Sequence, residues 1–205
     1  ENAQQMFQRV ARAIAAPEAA YGATPADVKG VARKFYDLMS RGLFLPNSPT
    51  LMNAGLPHGL LSACFVLGID DSIEGIFDAV KQTALVQKAG GGTGFAFDSL
   101  RPTGDRVSSS GGLTSGPISF WRVFAQTTAA IQQGARRRGA NMAMMSIEHP
   151  DVLRFLAAKS TPGAFDNFNI SVKIPDAFMD ALDARPDTPH VVTNPRTGQQ
   201  CVLPR

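Results

Sequence analysis

The sequence predicts an α/β protein in which a helical N-terminal segment precedes alternating strands and helices. Three observations carry this. Residues 1–56 place apolar side chains at helical spacing. From residue 57 onward, short apolar runs alternate with amphipathic stretches. Glycine-rich segments at 90–94 and 108–117 fall at the joints between them.

In the first part, Met6, Val10 and Ile14 mark a helix over residues 5–15. Thr24 is a predicted N-cap, with Pro25 at the first helical position and Asp27 completing a capping-box pattern. Val28, Val31, Phe35 and Leu38 then mark one helical face, and Gly42 is the expected C-cap. Pro46 and Pro49 predict an ordered loop over 45–50 without regular helix.

In the second part, residues 61–67 (LSACFVL) read as a strand buried on both sides. Residues 71–88 read as a helix with Ile73, Ile76, Phe77, Val80 and Ala84 inward, and Asp71 as its N-cap in a capping box with Glu74. Residues 93–97 are strand-like. A helix over 118–133 turns Trp121, Phe124, Thr128 and Ile131 inward. Strands follow at 141–147 and 168–174, helices at 150–158 and 175–182, and a hairpin at 190–203 around residues 194–198.

At 205 residues the chain suffices for one full domain or two small ones, and 44% hydrophobic residues supply a core. With 18% charged residues, general disorder is excluded. The net charge of +3 fits binding of small anions and demands no nucleic-acid partner. No stretch reads as a signal peptide or a membrane span, so a cytoplasmic, reducing setting is expected. There Cys64 and Cys201 are free or redox-active and not structural staples. His58, His149 and His190 lack metal-ligand spacing.

Each candidate motif has a packing reading and a chemical one. Residues 90–94 (GGGTG) serve as a tight turn, or let a ligand approach backbone N–H groups. Residues 111–117 form a loop and N-cap, or an anion site at a helix start. Arg136, Arg137 and Arg138 complement a helix dipole, or clamp phosphate and stack on a base. Arg101 is a surface cation by default. Cys64, inside its apolar run, is by default a buried, inert thiol.

Together these segments resemble the large chain of ribonucleotide reductases, most closely the vitamin B12-dependent class. The likeness is carried by residues 44–55 (FLPNSPTLMNAG), 61–67, 88–95 (KAGGGTGF), 111–120, 133–142 (QGARRRGANM), 149–151 (HPD) and 168–172 (FNISV), in order and in register. It implies a helical domain over 1–56 and, over 57–205, the first half of a ten-stranded α/β barrel. It implies radical reduction of ribonucleotides, adenosylcobalamin as cofactor, a thioredoxin-type reductant and a deoxynucleoside triphosphate effector. No nucleic-acid or membrane partner is implied, and a homodimer is a candidate assembly.

By the same resemblance Cys64 is one of two cysteines that reduce the substrate. Ser48, Ala63 and Gly92 contact substrate. Asp71 and Ser72 hold the effector's deoxyribose and Arg101 pairs its phosphate. Residues 104–112 form a first specificity loop and 133–140 a second, with Gln133 and Arg137 in effector contact. The family's radical-bearing Asn-x-Cys-x-Glu pattern is not found in the 205 residues, so the chain is expected to be a fragment, inactive alone. Ala135 departs from an expected glycine, Arg106 stands where a lysine nearer Ser108 is expected, and Cys201 matches nothing. Two alternatives stay open: a class I large chain fed by a separate radical subunit, and a nucleotide-sensing module without catalysis.

Overall fold

The computed structural model describes residues 1–57, 59–107, 111–131 and 139–203. The chain divides into two compact units, residues 1–64 with 89–91, and residues 65–88 with 92–205.

The first unit is helical. Helix α1 (Ala3–Ala15) opens on a capping box, in which Asn2 Oδ1 accepts from Gln5 N–H and Gln5 Oε1 accepts from Asn2 N–H, both at 2.9 Å. Helix α2 (Pro25–Ser40) has the capping box expected at Thr24 and Asp27. It closes through Gly42 at φ 68°, where the Gly42 and Leu43 N–H groups reach back to Met39 O and Leu38 O. These are the paired bonds of a Schellman close, and they need a left-handed residue between them. Val10, Ala11, Met39 and Ala54 form the buried centre of this unit.

The prolines at 46 and 49 do not keep the following segment free of helix. A short helix, α3, runs Ser48–Asn53, capped by Asn47 Oδ1 on Thr50 N–H at 2.9 Å. Pro49 lies in its first turn, where a missing N–H costs no intrahelical bond. Arg9 donates to the carbonyls of Leu51 and Ala54 at the far end.

The second unit is a sheet with helices packed on it. The strands β1 (Cys64–Leu67, whose first residue belongs to the helical unit), β2 (Gly92–Ala96), β3 (Asn141–Ser146) and β4 (Phe168–Lys173) lie in that spatial order. The pairs β2–β3 and β3–β4 are parallel, with Thr93 opposite Asn141 and Asn141 opposite Phe168. Helices α4 (Ile73–Lys88), α5 (Pro117–Ile131) and α6 (Val152–Ala157) connect them, as the alternating pattern predicts. Helix α7 (Asp176–Ala184) leads to a hairpin of β5 (Val191–Thr193) and β6 (Gln200–Val202).

The core is aromatic. Phe95 of β2 and Phe97, just after its end, meet Trp121 and Phe124 of α5, with Phe155, Phe165 and Phe168 closing around them. Trp121 is fully buried and stacks on Phe165 at 3.8 Å. Phe165 itself sits at φ 54°, a conformation a side-chain-bearing residue adopts only against a steric cost.

Three expectations are corrected here. The strand at 61–67 is shorter and is not buried on both sides: β1 is at the sheet edge, with Val66 88% exposed. Helix α4 buries Ile76, Ala79, Thr83 and Gln87, while Ile73 and Phe77 are exposed. The inward face is shifted because Thr83 and Gln87 are polar yet find partners inside, the Thr83 hydroxyl on the Ala79 carbonyl at 2.7 Å and Gln87 Nε2 on Asn141 Oδ1 at 2.8 Å. Finally, the α4 N-cap is Ser72, whose Oγ accepts from Gly75 N–H at 3.0 Å. Asp71 has a different partner.

Candidate functional site

Asp71 faces Arg101. The two segments that carry them, the start of α4 and the loop after β2, are joined by three hydrogen bonds. Arg101 Nε donates to Asp71 Oδ2 at 2.8 Å, its backbone N–H to Oδ1 at 3.2 Å, and its terminal nitrogen to the Asp71 carbonyl at 3.1 Å. Both side chains are about four-fifths buried, at 20% and 23% relative exposure, so the ion pair is only partly screened. Around it lies a cavity of about 380 Å³ lined by Asp71, Ser72, Ile73, Glu74, Ile76, Arg101, Val107, Thr114 and Phe120. Three of the residues assigned to an effector, Asp71, Ser72 and Arg101, thus converge on one cavity.

The loop that closes this cavity is held at several points. Residues 104–107 run antiparallel to 111–114, with Arg106 bridging Leu113 and the Gly104 N–H donating to Thr114 O. Asp151, just before α6, accepts from Thr103 N–H at 2.7 Å and from its hydroxyl at 3.1 Å. His149 turns Nε2 to Leu100 O at 2.9 Å and accepts the Asp151 N–H on Nδ1. Asp105 receives both arms of Arg196, at 2.9 and 2.7 Å, and the Asn194 side-chain amide at 3.3 Å. Hydrogen bonding to Arg196 holds the Asp105 carboxyl well below the usual carboxylate range. Arg196 is raised in turn, first by Asp105, with a smaller contribution from the charge of Asp71.

At the other end of the sheet a buried polar network joins α4, β2, α5 and β3. Asn141 Nδ2 donates to Thr128 Oγ1 at 2.9 Å and to the Asn167 carbonyl at 3.3 Å, which fixes the orientation of its amide. Its Oδ1 therefore faces Gln87 Nε2 at 2.8 Å and the Thr93 hydroxyl at 2.5 Å. Gln87 Nε2 also reaches Thr128 Oγ1 at 3.0 Å. The buried Gln87 Oε1 has no hydrogen-bond partner among the described residues. It faces Gly139, where a Cβ would come within 3.2 Å of it.

Cys64 is the first residue of β1 and is an exposed, free thiol, not the buried one expected of its apolar run. Ser48, exposed at the start of α3, and half-buried Ala63 belong with it to the first unit, and Gly92, the first residue of β2, to the second. Gln133, Arg137 and the rest of the arginine run lie outside the described residues, as do residues 108–110 of the first loop. Cys201 is exposed on β6 opposite Val192. Among the described residues no cluster of three or more His, Cys, Asp or Glu could hold a metal, and no helix is long and apolar enough to cross a membrane.

Sequence reasoning missed Thr103, Asp105, Arg196, Gln87 and Asn141. Three residues nonetheless stand inside recognisable segments: Asp151 as the last residue of the HPD motif, Asp105 within the 104–112 loop and Asn141 within the 133–142 motif. The Asp105–Arg196 contact spans 91 positions and no local pattern announces it.

Comparison with known proteins assigns the class. Residues 1–59 match the ribonucleotide reductase all-alpha domain and residues 62–201 the ribonucleotide reductase barrel domain. The chain belongs to the ribonucleotide reductase large-chain family. It is 46% identical over 200 residues to a vitamin B12-dependent ribonucleoside-diphosphate reductase of Mycobacterium tuberculosis, covering 97% of this chain and 28% of that protein. It is 52% identical over 165 residues to the protein of the same description from Thermoplasma acidophilum, covering 80% of this chain and 21% of that one. Against the ribonucleoside-diphosphate reductase large chain 2 of Saccharomyces cerevisiae it is 38% identical over 167 residues, 78% of this chain and 19% of the other. The chain therefore spans 19 to 28% of the length of these relatives.

Proposed function

We propose that this chain is the N-terminal part of a catalytic subunit that reduces ribonucleoside diphosphates to deoxyribonucleotides, with adenosylcobalamin as cofactor and a deoxynucleoside triphosphate as specificity effector. The observation that carries the effector reading is the convergence of Asp71, Ser72 and Arg101 on one cavity at the ends of β1 and β2. Ligand sites of open α/β sheets lie beyond the carboxyl ends of their strands. A strapped loop that holds a partly buried arginine beside a helix start suits a phosphorylated ligand. The class is supported by identities of 46 and 52% to B12-dependent relatives against 38% to the yeast large chain.

Removing a 2′-hydroxyl as water consumes two electrons and two protons. Two thiols supply both and end as a disulfide. Cys64 is the proposed first thiol. Its exposure on an edge strand leaves it open to a substrate and to an exchanging thiol of a thioredoxin-type reductant. Ser48, Ala63 and Gly92 are the proposed substrate contacts, and Gln133 and Arg137 proposed effector contacts. Adenosylcobalamin, when bound, supplies the initiating radical. The described histidines do not fit cobalt ligation, since His149 uses both ring nitrogens on Leu100 and Asp151 and His190 Nε2 is on the Ile147 carbonyl. No described residue is assigned to the corrin.

The test is product analysis on the full-length Cys64→Ser enzyme with adenosylcobalamin and a dithiol. Serine is nearly isosteric, so a packing role predicts near-normal deoxynucleotide yield, which would overturn the assignment. A redox role predicts that radical formation continues while deoxynucleotide is lost and free base is released.

A further inference from the structure

With the Asp71–Arg101 cavity read as the effector site, we propose that Arg196, on the turn of the β5–β6 hairpin, is a positioning residue for substrate specificity: it clamps the loop over that cavity through Asp105. The geometry is two-pronged. Nε and a terminal nitrogen of Arg196 meet the two oxygens of Asp105 at 2.9 and 2.7 Å. A forked guanidinium fixes both the distance and the plane of a carboxylate, which a point charge does not.

The hairpin is itself braced for this task. Asn194 Oδ1 accepts the N–H groups of Arg196 and Thr197, at 2.9 and 3.2 Å, so the turn that aims the guanidinium is fixed from within. The Asn194 amide then reaches the same carboxylate. The hairpin's base is tied to the sheet, because Thr193 N–H donates to Glu148 O at 2.8 Å and His190 Nε2 meets the Ile147 carbonyl at 2.7 Å. Asp105 also lies inside the loop ribbon, accepting the Thr114 N–H on its carbonyl, and Thr114 lines the cavity. A rigid path thus runs from β3 through the hairpin to the cavity wall. An effector in the cavity meets a wall already held in place, which reduces the ordering cost of binding.

The experiment uses the full-length enzyme and reads the ratio of kcat/KM for two ribonucleotide substrates with each deoxynucleoside triphosphate in turn. Arg196→Met and Asp105→Asn should each shrink the effector-induced change in that ratio at least about fivefold, within the ordinary range of allosteric couplings. Turnover without effector should hold. The exchanged pair Asp105→Arg with Arg196→Asp should recover part of the response, which a general loss of stability would not allow. Normal effector response in Arg196→Met, with response lost in Asp71→Ala, overturns the clamp and leaves the effector site standing. Normal response in Asp71→Ala as well overturns the effector site itself. Loss in both single variants without recovery in the exchanged pair also overturns the clamp.

Discussion

Asp151 and Thr103 meet at 2.7 Å across 48 positions of sequence, a buried carboxylate receiving a backbone N–H. The carboxylate also takes the Thr103 hydroxyl, so one side chain satisfies two donors of the loop that follows β2. Arg154 stands beside it at 3.6 Å.

Replacing Asp151 by alanine leaves the Thr103 N–H without its acceptor and its hydroxyl with only the longer contact to the Ser115 carbonyl at 3.4 Å. Hydrogen bonds to charged groups contribute about 1.5–3 kcal/mol each, so a loss of about that size is expected for the full-length enzyme. Chemical denaturation should show a lower midpoint at unchanged slope. An unchanged midpoint would mean that the loop does not depend on this anchor.

Asp105 makes stability depend on pH with a definite sign. Its folded pKa lies below its ordinary value of 3.8, so the unfolded chain binds the proton more readily. The contribution is fully present above that ordinary value and is lost as pH falls toward the lower folded one. Asp105→Asn should therefore melt below the parent near neutrality, and the gap between the two melting temperatures should narrow as pH falls below 3.8 and close only through the lower folded value. A gap that stays constant from neutral to acid pH would show that the charge of Asp105 contributes nothing.

Asn141→Ala should be more damaging than its size suggests. The substitution removes the Oδ1 that accepts from Gln87 and Thr93, all three side chains being buried. Each buried donor left unmet costs about 1–3 kcal/mol. Urea unfolding is the measurement, and a loss below about 0.5 kcal/mol, as for an ordinary surface change, would count against the network.

The order of helices and strands was legible because periodicity and caps are local. Thr24, Pro25 and Asp27 announce α2 within four residues, and Trp121, Phe124 and Thr128 announce the buried face of α5. The phase of α4 was not legible. Ile73 and Phe77 satisfy the apolar pattern, yet Thr83 and Gln87 are buried because hydroxyl and amide partners exist across the fold. Asp71 shows the same limit: its spacing to Glu74 suits a cap, but Arg101, 30 positions away, takes the carboxylate. The grouping of Asp71, Ser72 and Arg101 as a proposed effector site came from a resemblance in motif order, and the contacts that hold them in place are long-range pairings that local pattern does not carry.

The burial of Trp121 has a spectroscopic consequence. It is the single tryptophan in the sequence, and it is enclosed in the sheet unit against Phe165. Both tyrosines, Tyr21 and Tyr36, belong to the helical unit. In the 205-residue chain, indole emission therefore reports the loosening of the sheet unit, and phenol absorbance reports the helical one through Tyr36, the tyrosine packed on its core, Tyr21 being 86% exposed already. Two melting curves recorded on one sample would show whether the halves come apart together or in turn.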